Sequence, residues 1–260
     1  MDDNYQAYLN RVVKLAMPES YTAQVQHIHS SPKFQQLPDG GRKAVAFPGY
    51  TVIAPPAQED NQNIKFYQSL TSYQQQLIEL TPNNLIVPIP PSSLHVTLAD
   101  LIWESAYQYA QENIEQFEVQ LHSAIAKVFE QYRQSKPLAT PIEWQVLGLI
   151  VMPRAIAVSL IPKNENSYNQ ILNLRRAIYQ SPDLTALGLE QHYHFTAHIT
   201  LGYFGEVAPD QDRDRLSKTI FDLNQQLSEY PEFKIYQAEL RKFDDMTRYY
   251  RESDWSILTF

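Results

Sequence analysis

Cysteine is absent from the 260 residues, which removes disulfides, thiolate nucleophiles and cysteine-ligated metals together. No apolar run approaches the roughly 18 residues of a membrane span, and the opening Met1-Asp2-Asp3-Asn4 lacks the basic and apolar regions of a secretory signal. The sequence therefore predicts a cytoplasmic protein with no membrane contact. Basic residues are outnumbered: 21 Lys and Arg face 29 Asp and Glu, for a formal charge of −8. Affinity for a long phosphate backbone comes from clustered cations, so an extended nucleic-acid surface is excluded, while a small phosphorylated ligand or the end of an RNA is not. What is present, 43% hydrophobic and 19% charged residues, is the composition of a globular protein long enough for one large domain or two small lobes sharing a cleft.

Within that ordinary composition one pattern occurs twice, as His95-Val96-Thr97-Leu98 and His198-Ile199-Thr200-Leu201. The apolar runs around them, 94–101 and 195–204, are bounded by Pro90-Pro91 and Gly205 and read as buried strands. Side chains two apart on a strand share a face, so His and Thr project together while Val96 and Leu98, or Ile199 and Leu201, enter a core. In the second copy the alternation extends back through His192, His194 and Thr196, with Tyr193, Phe195 and Tyr203 expected on the greasy face.

The rest of the chain arranges itself around these copies. Residues 1–44 read as an extension, partly helical from the spacing of Tyr5, Tyr8, Leu9, Val12, Val13 and Leu15, then loosening through Pro18, Ser30-Ser31-Pro32 and the turn signal Asp39-Gly40-Gly41. His27 and His29 form an isolated His-x-His pair on a polar segment and read as solvated. Residues 45–260 form the domain. Strands are expected at 50–54 and 85–87, a helix carrying Tyr67, Leu70, Gln74 and Leu77 between them, and the clearest helix over 113–134, with His122 just off its apolar stripe and therefore on the surface. A hairpin of strands 144–151 and 156–161, a helix over 168–179, the second motif strand, a helix over 212–227 and strands near 233–240 and 256–260 complete the order. Strand, helix, motif strand, helix, strand is thus expected twice, with the motifs about a hundred residues apart, the size of one small α+β lobe.

Paired His-x-Thr-x motifs at this spacing, each preceded by a strand and a helix and separated by the 144–161 hairpin, resemble the two-histidine (2H) phosphoesterase superfamily, LigT-like and cyclic nucleotide phosphodiesterase-like, over roughly residues 45–260. The segments Phe47-Pro48-Gly49-Tyr50-Thr51 and Pro90-Pro91-Ser92-Ser93 look like a less characterised bacterial branch. The resemblance implies an α+β fold of two lobes related by a pseudo-twofold, each an antiparallel sheet flanked by helices, with both motifs in a central cleft. It implies a metal-independent hydrolysis of a cyclic phosphodiester, such as a 2′,3′-cyclic nucleotide or RNA end, with His95 and His198 as acid and base, Thr97 and Thr200 on the phosphate oxygens, and no cofactor. Several members carry an arginine shortly after the second motif, where this chain has Gly202-Tyr203-Phe204.

The residue types suit that chemistry. Hydrolysis needs a base to take a proton from water and an acid to protonate the departing oxygen, and an imidazole with an ordinary pKa of about 6.5 serves either role. Arg154 and Arg241 are the cations, and Tyr50, Trp103, Tyr203 and Tyr249 the aromatic platforms, available to a substrate. Two other readings compete: a nucleotide- or RNA-end-binding protein that keeps the cleft without turnover, and a metal hydrolase using His192, His194 and His198. Alternate residues of a strand lie about 6 to 7 Å apart at the backbone, which disfavours three of them on one metal. The chain is expected to be monomeric.

Overall fold

The computed structural model describes residues 3–38, 40–135, 140–225 and 230–260. Helix α1 (Tyr5–Leu15) starts where the Asn4 side chain accepts from the Ala7 amide, and α2 (Pro18–Gln24) opens on proline, whose missing N–H costs nothing at a helix start. A short hairpin, β1 (Phe34–Gln36) and β2 (Arg42–Ala44), precedes β3 (Gly49–Ile53), α3 (Ile64–Leu80), β4 (Ile86–Pro88) and the first motif strand, β5 (Thr97–Trp103). After α4 (Glu104–Asn113), a turn with Gln116 at φ +52 leads into α5 (Phe117–Ser135), so the helix expected from 113 begins four residues later. The second half contains β6 (Ile142–Met152), β7 (Ala155–Pro162), α6 (Glu165–Tyr179), α7 (Pro182–Ala186) and the second motif strand β8 (His198–Phe204). It closes with α8 (Arg213–Gln225), β9 (Phe233–Ile235), β10 (Gln237–Asp245), β11 (Arg248–Tyr250) and β12 (Ile257–Thr259). Asp39 of the expected turn and residues 226–227 of the expected last helix lie outside the described residues.

The fold is α+β, and every strand pair is antiparallel. One sheet runs β11-β10-β3-β5 with β12 also on β10; the other runs β4-β8-β7-β6-β9. Each motif strand pairs with the strand that a local reading places before it, β5 with β3 and β8 with β7. The two halves are nevertheless interleaved. Strand β4, from the first half, pairs with the second motif strand, and β10 to β12, from the end of the chain, build out the first sheet. Chain order and lobe order therefore differ, because pairing between distant strands is decided by packing that no local pattern carries.

The described residues of the 3–44 segment, read from the sequence as an extension, pack into the same core as the strands. Tyr8, Val12, Tyr21, Val25, Ile28 and Phe34 enter the continuous core with the strands. The Tyr8 hydroxyl donates to Leu160 O at 3.2 Å and that of Tyr21 to Leu149 O at 2.7 Å, so α1 and α2 are fastened to the second sheet. Fully burying an aliphatic side chain such as Val12 is worth roughly 1.5–3 kcal/mol, enough to hold a short helix that would not form alone.

Candidate active site

A cleft of about 790 Å³ opens between the two sheets, and His95, Thr97, His198 and Thr200 all line it. The motif strands begin later than the apolar runs suggest: β5 starts at Thr97 with His95 just before it, and β8 starts at His198, so residues 191–197 are a loop and their expected alternation does not apply. Both strands are bulged at the motif's fourth residue. Thr97 pairs with Ile53 and Ala99 with Val52, leaving Leu98 extra; Thr200 pairs with Ala157 and Gly202 with Ile156, leaving Leu201 extra. A bulge shifts the facing of everything beyond it by one. Asp100 therefore joins Thr97 in the cleft, a second bulge on β5 that leaves Leu101 extra turns the strand again and brings Trp103 there, and Tyr203 joins Thr200 instead of the greasy face.

The two imidazoles are held in the same way. Nδ1 of His95 lies 2.7 Å from Ser93 O, and Nδ1 of His198 lies 2.7 Å from Thr196 O, in each case the carbonyl two residues earlier. A carbonyl only accepts, so Nδ1 carries the hydrogen in both rings and Nε2 holds the lone pair of the neutral form. Among the described residues neither Nε2 has a hydrogen-bond partner, which leaves both available to a ligand. The Tyr249 ring packs on His95 with centroids 4.1 Å apart. Burial pushes the His95 pKa down to about 4, against the pull of the Ser93 carbonyl, with the nearby His198 and Arg241 adding to the fall. His95 is thus neutral at pH 7. Among the described residues the Thr97 and Thr200 hydroxyls make no hydrogen bond, whereas Thr51, also in the cleft, spends its hydroxyl on Ala99 O at 3.1 Å.

Buried side chains from other elements fix the two bulges. Gln74 of α3 donates to Leu201 O at 2.7 Å and to Ile89 O at 2.8 Å, and Arg175 of α6 donates to Leu98 O at 2.6 Å. Ahead of the second motif, Arg11 of α1 donates to the Thr196 hydroxyl at 2.7 Å and to Phe195 O at 2.6 Å. The N-terminal helix thereby holds the segment whose Thr196 carbonyl orients His198.

Of the four residues expected to touch substrate, Arg154, at the tip of the β6–β7 hairpin, and Tyr203 line the cleft. Tyr50 does not. Strand alternation sends its neighbour Thr51 into the cleft and Tyr50 to the opposite face, where it is fully buried and donates to Glu118 Oε2 at 2.9 Å. Arg241 is likewise not an available cation: it is 1% exposed, and its guanidinium is gripped by Glu59, at 2.6 and 2.9 Å, and by Glu239. His122, expected on the surface, is half-buried, its ring 4.4 Å from that of Trp255 and 5.5 Å from that of Tyr50. Trp103 and Tyr249 do line the cleft, as does His29. His192 packs on Trp103 and His194 sits 3.5 Å from Asp3, and among the described residues no three His, Asp or Glu side chains gather as metal ligands.

The residue that sequence reasoning missed is Lys33. Its ammonium lines the cleft, 4.3 Å from the Phe47 ring centre, 5.1 Å from that of Tyr203 and 3.2 Å from Met246 Sδ. Desolvation lowers its pKa to about 8, with Asp100 and Glu104 opposing the fall and Arg154 adding to it. The Tyr193 hydroxyl donates to the Asp100 carboxylate across the cleft. Nothing in the residues around Lys33 marks it, since Ser31-Pro32-Lys33 reads as a polar turn. Gly202 explains why no long side chain projects from β8 at that point: a Cβ there would come 2.6 Å from Ile86 Cγ2 and 2.8 Å from Val87 O.

Two antiparallel lobes, interleaved in chain order, meet at a cleft lined by both histidine motifs. Residues 39–112, which contain the first motif, match the family model 2H-phosphodiest, described as a domain of unknown function (DUF1868). The fold is shared with a conserved protein of unknown function, ATU0111 from Agrobacterium tumefaciens str. C58, at a TM-score of 0.55 and 17% identity, covering 80% of this chain and 85% of that one. E. coli LigT complexed with 3′-AMP aligns at a TM-score of 0.40 and 14% identity over 78% of this chain and 93% of its own. Kluyveromyces marxianus Usb1 aligns at 0.42 and 12% identity over 81% and 97%. A comparison with the curated proteins finds no match. No helix among the described residues is long and apolar enough to cross a membrane.

Proposed function

We propose that the protein is a metal-independent phosphoesterase that hydrolyses a cyclic phosphodiester, a 2′,3′-cyclic nucleotide or the cyclic end of an RNA. The observation that carries this reading is the matched pair of imidazoles, each donating from Nδ1 to the carbonyl two residues back and presenting an unpartnered Nε2 to one cleft, with an unpartnered threonine hydroxyl two residues on. His95, held neutral by burial, takes a proton from water at Nε2 as the water oxygen attacks phosphorus. The bond from phosphorus to one ribose oxygen breaks, and His198 delivers a proton from Nε2 to that oxygen. Thr97 and Thr200 donate to the non-bridging oxygens, whose charge grows in the transition state. Each step uses groups already in place in the cleft.

The test is turnover by the purified protein of 2′,3′-cyclic nucleotides, cyclic-phosphate-ended oligonucleotides and ADP-ribose cyclic phosphate, with and without EDTA. One of these is hydrolysed in EDTA, and His95→Ala and His198→Ala each abolish the reaction while remaining folded. Absence of turnover across the panel, activity surviving either alanine variant, or activity lost to chelation and restored by zinc or manganese would each overturn the reading.

A further inference from the structure

Arg241 is among the largest fully buried side chains, and no step of the proposed reaction uses it. It pairs across the sheet with Thr51 and stands two residues from Phe243, both of which line the cleft, so its side chain leaves the sheet on the cleft side. There its fork closes on two carboxylates. Nη1 and Nη2 donate to Glu59 Oε1 and Oε2 at 2.9 and 2.6 Å, and Nε donates to Glu239 Oε2 at 2.8 Å. Glu239 belongs to the same strand, whereas Glu59 ends the segment that follows β3. That segment runs beside the first motif: Ala54 N donates to Val96 O at 3.0 Å, Ala57 N to Leu94 O at 2.9 Å and Gln58 N to Ser92 O at 3.1 Å. Ser93, whose carbonyl orients the His95 ring, lies inside this run. The guanidinium also reaches a second neighbour of that ring, since Nη1 is 3.5 Å from Tyr249 O and the Tyr249 ring packs on His95.

We propose that Arg241 is a positioning residue for His95: by gripping Glu59 it holds the 54–59 segment, and with it the Ser93 carbonyl, at the place that fixes the imidazole in its Nδ1–H form. This rests on the phosphoesterase reading and adds to it the group that holds the base. The second motif carries an independent counterpart. Arg11, from the other end of the chain, donates to the Thr196 hydroxyl and to Phe195 O just ahead of His198, so each histidine has a remote arginine behind the carbonyl that holds its Nδ1. The energetics agree. A buried ion pair stabilises a fold little over apolar residues of the same volume, and what a planar fork on two carboxylates supplies that they do not is a fixed direction. A lysine carries the same charge as a point and cannot hold Glu59 at both oxygens while holding Glu239.

The test compares Arg241→Lys, which keeps the charge and loses the fork, with Glu59→Gln, which changes the charge and weakens the grip. The Glu59 side chain is 44% exposed, so Glu59→Gln carries the test even where Arg241→Lys does not fold. The first readout is the nitrogen spectrum of histidine-labelled protein at pH 7.5, with His95 assigned from its absence in His95→Gln. Wild type shows a protonated Nδ1 and a bare Nε2; in each variant the two His95 resonances move towards each other as the ring samples both tautomers, while those of His198 stay in place. The second readout is kinetic, with the cyclic phosphate of the panel that the wild type hydrolyses. Plateau kcat falls about tenfold in Glu59→Gln and about a hundredfold in Arg241→Lys, with KM within about twofold. The groups facing His95 are His198, Arg241 and the Tyr249 ring, so an effect of charge alone would move the acid limb in Glu59→Gln and leave Arg241→Lys like wild type. That result, an unchanged His95 tautomer in the folded variants, or an equal disturbance at His198 would overturn the proposal. A wild type that turns over nothing in the panel fails as a phosphoesterase, and the nitrogen spectrum still decides what holds His95.

Discussion

Lowering the pH should unfold this protein partly through one ring. His95 titrates near 4 in the folded protein and at the ordinary 6.5 once unfolded, because burial disfavours its charged form and the nearby His198 and Arg241 add repulsion. Between those values the unfolded chain binds a proton that the folded one refuses. Stability linked to this ring is therefore complete above pH 6.5, falls as the pH drops from 6.5 to 4, and changes no further below that. The full gap is worth about 3 kcal/mol, and about 2 kcal/mol has been lost by pH 5. Carboxylates also titrate in this window, so the measurement is a difference: urea unfolding of wild type and of His95→Gln, each at pH 7.5 and pH 5. Effects common to both proteins cancel, and the wild type should lose about 2 kcal/mol more than the variant. The same shift places the acid limb of kcat/KM well below 6.5, since His95 stays neutral through the weakly acid range. Parallel pH dependences of stability in the two proteins would show that the ring titrates normally and would refute its assignment as a base held neutral by its surroundings.

Thr97→Val and Thr200→Val should each lower kcat/KM by at least about tenfold, below the hundred- to thousandfold loss of an enclosed oxyanion donor because this cleft is open to solvent. Neither hydroxyl bonds to another described residue, so the melting temperature should hold, and wild-type efficiency in both folded variants would rule the threonines out as phosphate donors. Gln74→Met keeps the length of the side chain but deletes its bonds to Leu201 O and Ile89 O, which should cost about 1 to 3 kcal/mol and lower the melting temperature by about 5 °C. An unchanged melting temperature would mean that the bulge holds without it.

The parts of this structure legible in the sequence are those with short-range causes. The α3 and α5 stripes, the 142–162 hairpin and the His-x-Thr pairs all follow from periodicity over a few residues, and His95, Thr97, His198 and Thr200 reach the cleft because His and Thr precede the bulges. What lies beyond the bulges was misread. Parity puts Tyr203 on the greasy face although its type also offers it to a substrate, and gives Asp100 no role, because one extra residue reverses the facing on which both readings depend. Tyr50 and Arg241 were plausible by type, but their partners Glu118, Glu59 and Glu239 lie 68, 182 and 2 residues away, and type alone cannot distinguish a cation offered to a ligand from one neutralised at home. The N-terminal segment failed for a related reason. Its apolar spacing was visible, while the surface it covers is built from residues more than a hundred positions later.

The interleaving of the halves has a mechanical consequence for the cleft. Each bulge turns the carbonyl of the fourth motif residue away from its neighbouring strand, where a bare buried carbonyl would be costly, and Leu201 O accepts from Ile89 N at 3.0 Å as well as from a side chain. Both carbonyls are taken by a buried side chain of the other half: Gln74, from the helix before the first motif, holds Leu201 of the second, and Arg175, from the helix before the second motif, holds Leu98 of the first. Arg175 is further confined by the rings of Phe195 and Tyr179, 4.7 and 5.2 Å from its guanidinium carbon, and the Tyr179 hydroxyl reaches Asp100 O at 2.8 Å. Each motif strand is thus held, at the residue next to its threonine, by a side chain from the other half of the sequence. The two imidazoles gain their alignment from this crossing, because neither motif is positioned by its own half of the sequence alone.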